Sequence, residues 1–151
     1  MKRFLRWCGI LGVGALGGCG GPATEPSPPV GDVRISTDRA QYSLARDSFA
    51  VVTLTNESNR PLHLPLSGYI AYQRLLDGVW SDAFSWFTSD GIGRSFPLPA
   101  LSSRQDQLEI WAYLAGQPGT YRFQYSIYRT PRLGVAVSLE KRVSAPFIVT
   151  P

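Results

Sequence analysis

The strongest constraint on the fold is a strict two-residue alternation in GTYRFQYSIYR, residues 119–129. Tyr121, Phe123, Tyr125 and Ile127 share one parity, and Arg122, Gln124 and Ser126 share the other. A period of two belongs to an extended strand whose side chains point alternately to opposite faces; a helix would scatter those four apolar groups around its axis. One face of the segment must therefore be covered by a second layer while the other meets solvent.

Other segments repeat the signal. DVRIST puts Val33 and Ile35 on one face, and SFAVVTLTN is rich in Val, Thr and Phe, as strands are. DQLEIWAYLA sets Leu108, Ile110, Ala112 and Leu114 against Glu109, Trp111 and Tyr113, which predicts a strand through the whole stretch. LHLPL is broken by Pro65 and reads as an edge strand or kinked crossing; EKRVSAPFIVT reads as a closing strand with a bulge or edge position at Pro146. Between YIAYQRLL and VW stands Asp77-Gly78, a dipeptide suited to a turn with two positive φ angles, so Leu75 and Leu76 should face Val79 and Trp80 across a hairpin. The stretch 81–105 is punctuated by Gly and Pro and fits loops and short strands. No helix of about 12 residues or more is expected after the N-terminal segment. The prediction is an all-β domain, an antiparallel β-sandwich of about seven strands.

The first residues follow another logic. Lys2, Arg3 and Arg6 precede an apolar and small-residue run from Trp7 to Gly18, the charged and hydrophobic regions of an export signal. The run is shorter than the roughly 20 apolar residues a spanning helix needs, and five glycines dilute it. Leu16-Gly17-Gly18-Cys19 resembles the lipobox of bacterial lipoprotein signal peptides. The resemblance implies cleavage between Gly18 and Cys19 and acylation of Cys19, which anchors the mature protein in a membrane. Two or more buried acyl chains hold a protein stably where one does not, at about 0.8 kcal/mol per CH₂. Gly20 in place of the family's Asp implies the outer membrane if the host is Gram-negative.

Three divisions follow: a signal peptide over 1–18, a lipidated cysteine and Pro/Gly-rich tether over 19–31, and the β domain over 32–151. The tether GGPATEPSPPVG has no aromatic residue and should be extended, reaching up to about 37 Å at about 3.1 Å per residue. Removal of the signal takes 15 basic residues to 12 against 11 acidic ones, so the net charge falls from +4 to +1. A basic surface for nucleic acid is not implied. Cys8 leaves with the signal and Cys19 becomes a thioether, so no thiol remains for a disulfide, a metal or catalysis.

LAGQPGTY, residues 114–121, resembles the tyrosine corner of immunoglobulin-like sandwiches, with Tyr121 bonding back to upstream backbone. Together VVTLTNESNRPLHLP, LLDGVW, PGTYRF and SAPFIV are similar to immunoglobulin-like domains of exported bacterial proteins, including proteinase-inhibitor-like ones. The resemblance implies an immunoglobulin-like sandwich and leaves the activity open.

Catalytic patterns are weak. His63 is the single histidine, no G-x-S-x-G elbow occurs, and Asp77, Asp82 and Asp90 lack the spacing of a calcium loop. No enzyme, cofactor or metal is expected. The candidate contact residues are Trp80, Phe84, Trp86 and Phe87, which either fill the core and its open end or leave one or two rings on a rim. A second set lies on the polar parity of the 119–129 strand and beyond it: Arg122, Gln124, Tyr128, Arg129 and Arg132. The functional expectation is a non-enzymatic binding or structural module in the cell envelope, its partner an envelope protein or glycan. A protease-inhibitor-like module and a small envelope hydrolase are the alternatives.

Overall fold

The computed structural model describes residues 32–85, 94–114 and 116–151. Gly18, Cys19 and the tether, and the aromatic candidates Trp86 and Phe87, lie outside the described residues. What is described is all-β, and no helix in it is long and apolar enough to cross a membrane.

The strands are β1 Val33–Thr37, β2 Gln41–Ser43, β3 Phe49–Asn56, β4 Leu62–Pro65, β5 Ile70–Leu76, β6 Val79–Trp80, β7 Ser95–Leu98, β8 Ser103–Glu109, β9 Gly119–Tyr125 and β10 Phe147–Thr150. A short helix α1, Ile110–Leu114, follows β8, and a single 3₁₀ turn spans Leu139–Lys141. Three sheets form, with orders β1-β3-β8, β2-β10-β9-β5-β6 and β4-β7.

Alternation decides what each sheet buries. Val33, Ile35, Ala50, Val52, Leu54 and Leu108 from the three-stranded sheet meet Tyr42, Phe147, Val149, Tyr121, Phe123 and Tyr125 from the five-stranded one in a single core. Leu62, Leu64 and Leu98 add the β4–β7 pair to it. Phe147 stacks on Phe123 at 4.9 Å between ring centroids, and Tyr42 meets its edge at 5.5 Å. Each fully buried side chain of this kind contributes about 1.5–3 kcal/mol by leaving water.

Three expectations change. The described strands number ten, because β2 and β7 are too short to show a period in sequence. One pair is parallel: β10 runs beside β2 with Val149 opposite Tyr42. The cause is the crossing at residues 38–40, where the chain leaves the three-stranded sheet after β1 and joins the five-stranded one as β2. Finally, the strand foreseen through Leu114 stops at Glu109 and turns into α1. Ile110 and Leu114 are both buried, as foreseen. Residues four apart share a face in a strand and in a helix alike, so that pair could not separate the two.

Around Pro146 the ladder has a bulge. Val143 bridges Gln124 and Phe147 pairs with Tyr121, which sets three intervening residues against two. The Ser144 hydroxyl accepts the Phe123 amide there at 2.9 Å.

Candidate contact surface

The hairpin forms with the expected register, Leu75 opposite Trp80 and Leu76 opposite Val79. Asp77 and Gly78 take φ values of +50° and +81°, matching the two positive angles the turn demands. Its tip is apolar and uncovered: Leu76 is 51% exposed and Val79 69%.

Beyond Trp80 the strand bulges. Ser81 bonds to Arg74 and Phe84 to Tyr72, so one extra residue is inserted between them. That insertion sends the two described aromatics to opposite faces. Phe84 lies opposite Tyr72, with rings 5.4 Å apart, on the core-facing side at the sheet edge, and remains 47% exposed. Trp80 lies on the outer face, where the Arg122 guanidinium covers its ring at 4.3 Å from the centroid. Arg122 is braced as well as stacked. Its Nε donates to Gln73 Oε1 at 2.8 Å, and Gln73 Nε2 donates to the Ser81 carbonyl at 2.8 Å. The register that places Gln73 opposite Arg122 makes this chain of contacts. Burial holds the Arg122 guanidinium below its ordinary pKa.

The remaining candidates belong to other pairings. Tyr128 exchanges backbone hydrogen bonds with His63 at 2.8 and 2.9 Å. His63 sits in β4 opposite Pro97, with its backbone committed to strand pairing. Arg129 pairs with Asp32 at 2.6 Å beside a depression of about 300 Å³ that also takes in Ser58, Arg60 and Leu62. Tyr121 Oη donates to the Gln117 carbonyl, four residues upstream, at 2.7 Å. Asp77 sits in the hairpin turn, Asp82 follows β6, and Asp90 lies outside the described residues; among those described, no group of three or more His, Cys, Asp or Glu could hold a metal.

Sequence reasoning missed a polar cluster between the sheets. Asp106 on β8 is 7% exposed. Its Oδ1 accepts Tyr69 Oη–H and Arg104 Nε–H, both at 2.9 Å, and its Oδ2 accepts Tyr125 Oη–H at 3.2 Å. Arg104 also lies over the Phe96 ring at 4.8 Å. Burial, and then the bond to Asp106, push Tyr69 up to about 12; burial and the Asp106 charge hold Tyr125 well above its ordinary value. Both phenols are thus locked as donors at neutral pH, and the carboxylate is engaged through both oxygens. The arrangement ties β8 to β9 and offers neither a nucleophile nor a free base. A cavity of about 280 Å³, lined by residues 66–70 and 106–108, opens beside it. A signal was present: Asp106 shares the parity of Leu108, which places a carboxylate on the buried face.

No protein-family model matches the chain, and no curated protein matches it.

Proposed function

We propose that this protein is an exported, lipid-anchored module of the cell envelope that binds a partner protein through the β5–β6 hairpin and the adjoining outer sheet face. Anchoring is supported by the charged start, the short apolar run and Leu16-Gly17-Gly18-Cys19. An immunoglobulin-like sandwich is supported by two sheets sharing one core, and by the bond from Tyr121 back to Gln117. No catalysis is assigned to the module. The observation that carries the contact surface is the exposure of Leu76 and Val79 at the hairpin tip and of Phe84 at the sheet edge, three large apolar side chains, with Trp80 and Arg122 on the other face of the same hairpin. Large exposed apolar side chains on an edge hairpin, and an arginine stacked on an aromatic ring beside them, are characteristic of contact surfaces.

The test is crosslinking in intact cells, with tagged wild type beside Cys19→Ala and the double variant Leu76→Ser/Val79→Ser. A discrete envelope protein joined to wild type and lost from the double variant, which still folds, is the expected result. The same crosslinked species at equal yield from the double variant would overturn the assignment of the hairpin.

A further inference from the structure

Three partly buried arginines have no carboxylate partner among the described residues: Arg74, whose Nη groups are spent on Gln117 and the Pro118 carbonyl, Arg142, whose Nη1 is spent on the Tyr125 carbonyl, and Arg122. Arg34, Arg39, Arg104 and Arg129 each have a carboxylate within 4.0 Å, in pairs with Glu57, Asp47, Asp106 and Asp32. Arg122 has none among the described residues, although burial acts on its charge. The cross-strand register surrounds it with Thr120, Gln124, Ala71, Leu75 and Ile148, and none of these is acidic. Asp77 at the turn and Asp82 beyond Ser81 form no ion pair with it.

A partly desolvated cation without a counter-ion is unfavourable in the free protein. Yet its geometry is well fixed. Trp80 supports the guanidinium plane, Gln73 occupies Nε, and Gln73 is itself buried and tied to the Ser81 carbonyl. Among the described residues neither Nη group has a hydrogen-bond partner, which leaves a fixed fork for a ligand, the arrangement that suits a planar carboxylate. Around the fork the surface is apolar and neutral, with Trp80 and Leu75 on one side and Ile148, 49% exposed, on the neighbouring strand β10 on the other.

We infer that the Trp80–Arg122–Gln73 assembly is a receptor for a carboxylate flanked by apolar side chains, presented by an acidic–apolar peptide segment of the partner protein. The inference rests on the function proposed above and deepens it by naming what the partner must present. An acid arriving at Arg122 supplies the missing counter-ion, while its apolar neighbours cover Trp80, Leu75 and Ile148. A neutral isostere would leave the guanidinium desolvated and unpaired.

The experiment uses the full-length protein, in detergent micelles where it is acylated. It is titrated at low salt with acetyl-Leu-Glu-Leu-amide and, separately, with acetyl-Leu-Gln-Leu-amide. The readouts are the NMR signals of Arg122 Nε–H and the Trp80 indole N–H. The expected result is saturable shifts of both signals, with the Glu peptide binding at least about tenfold more tightly than the Gln peptide. Rising salt weakens the Glu peptide, and Arg122→Gln abolishes its advantage. Arg122→Lys keeps the charge but loses most of the advantage with the planar fork. Equal affinity of the two peptides, no saturable shift with the Glu peptide, or shifts produced by inorganic phosphate and not by the Glu peptide would each overturn the inference. The peptide pair needs no variant to be decisive. A hairpin-dependent crosslink found alongside a null titration refutes the carboxylate receptor and leaves the contact surface standing; loss of the crosslink assignment removes both.

Discussion

Replacing Asp106 probes the link between the two sheets, and its cost can be worked from the contacts. Asp106→Leu is close in volume, so little cavity is created, and what changes is hydrogen bonding. Tyr125 is wholly buried and its hydroxyl loses its acceptor at 3.2 Å. An unsatisfied buried hydroxyl costs about 1–3 kcal/mol, taken here as about 2. Arg104 loses its carboxylate at 2.9 Å, but its side chain is 41% exposed and water replaces much of the partner. That loss is set near 1 kcal/mol, the scale of an exposed pair. Tyr69 still has Arg104 Nη2 donating to its oxygen at 2.8 Å and a cavity for its own proton, so its share is small. The expected destabilisation is about 3 kcal/mol, against a total of about 5–15 kcal/mol for a domain of this kind. Asp106→Asn keeps shape and one acceptor and loses charge assistance, so it should cost about 1.5 kcal/mol. Urea unfolding followed by tryptophan fluorescence measures both. Phenolate absorbance gives an independent reading, because without the Asp106 charge Tyr69 should ionise below its wild-type value of about 12. A leucine variant within about 0.5 kcal/mol of wild type, or an unmoved Tyr69 titration, would refute the assignment of Asp106 as the brace.

Asn56 is fully buried; its amide nitrogen donates to the carbonyls of Arg60, Leu98 and Pro99 at 2.9, 3.1 and 2.9 Å, and its oxygen accepts from the Ser58 amide at 3.0 Å. Asn56→Ala should cost about 3 kcal/mol in urea unfolding, and Asn56→Asp should do no better at neutral pH, since a carboxylate has no proton for those three carbonyls. Gly116 has φ +61°, and a Cβ there would overlap the Trp111 ring at Cζ3 and Cε3. Gly116→Ala should therefore cost about 1–2 kcal/mol, with a fluorescence change as Trp111 leaves its bond to the Leu44 carbonyl. Alkaline stability follows from the buried phenols. Tyr69 is raised from 10.0 to about 12, and Tyr42 and Tyr125 are raised too, chiefly by burial. Between those values the unfolded chain has released protons that the folded one keeps, so stability is intact below pH of about 10 and falls as pH climbs toward about 12. Thermal melts across that range test it; a midpoint that holds through pH of about 11 would contradict the burial of these hydroxyls.

Alternation made most of the architecture legible. Residues 119–127 carried their buried face openly, and Val33, Ile35, Val52 and Leu54 followed the same rule, because a period of two is a local property of a few residues. Asp77-Gly78 was equally local, and its register followed from turn chemistry alone. Local signals failed where the outcome was set by the neighbour. β2 is three residues long and exists because β10 accepts it as a parallel partner, which no property of Gln41–Ser43 announces. The switch from strand to helix at Ile110 was hidden because a four-residue spacing satisfies both periods.

The same distinction explains which functional residues could be read. Trp80 and Arg122 were each legible as contact residues, since aromatics near a hairpin and an arginine on a polar parity are visible in one line of sequence. Their pairing was not. It depends on Leu75 facing Trp80 and on Gln73 facing Arg122 across a separation of 49 residues, and a slip of one residue in β5 would turn Gln73 inward and leave Arg122 unbraced. The grouping of Trp80 with Phe84, plausible from spacing, was undone by one inserted residue after Ser81 that reversed the face of everything following it. Function on such a sheet is therefore a property of register more than of composition: the same rings and guanidinium in another pairing would give a solvated surface with no fixed fork.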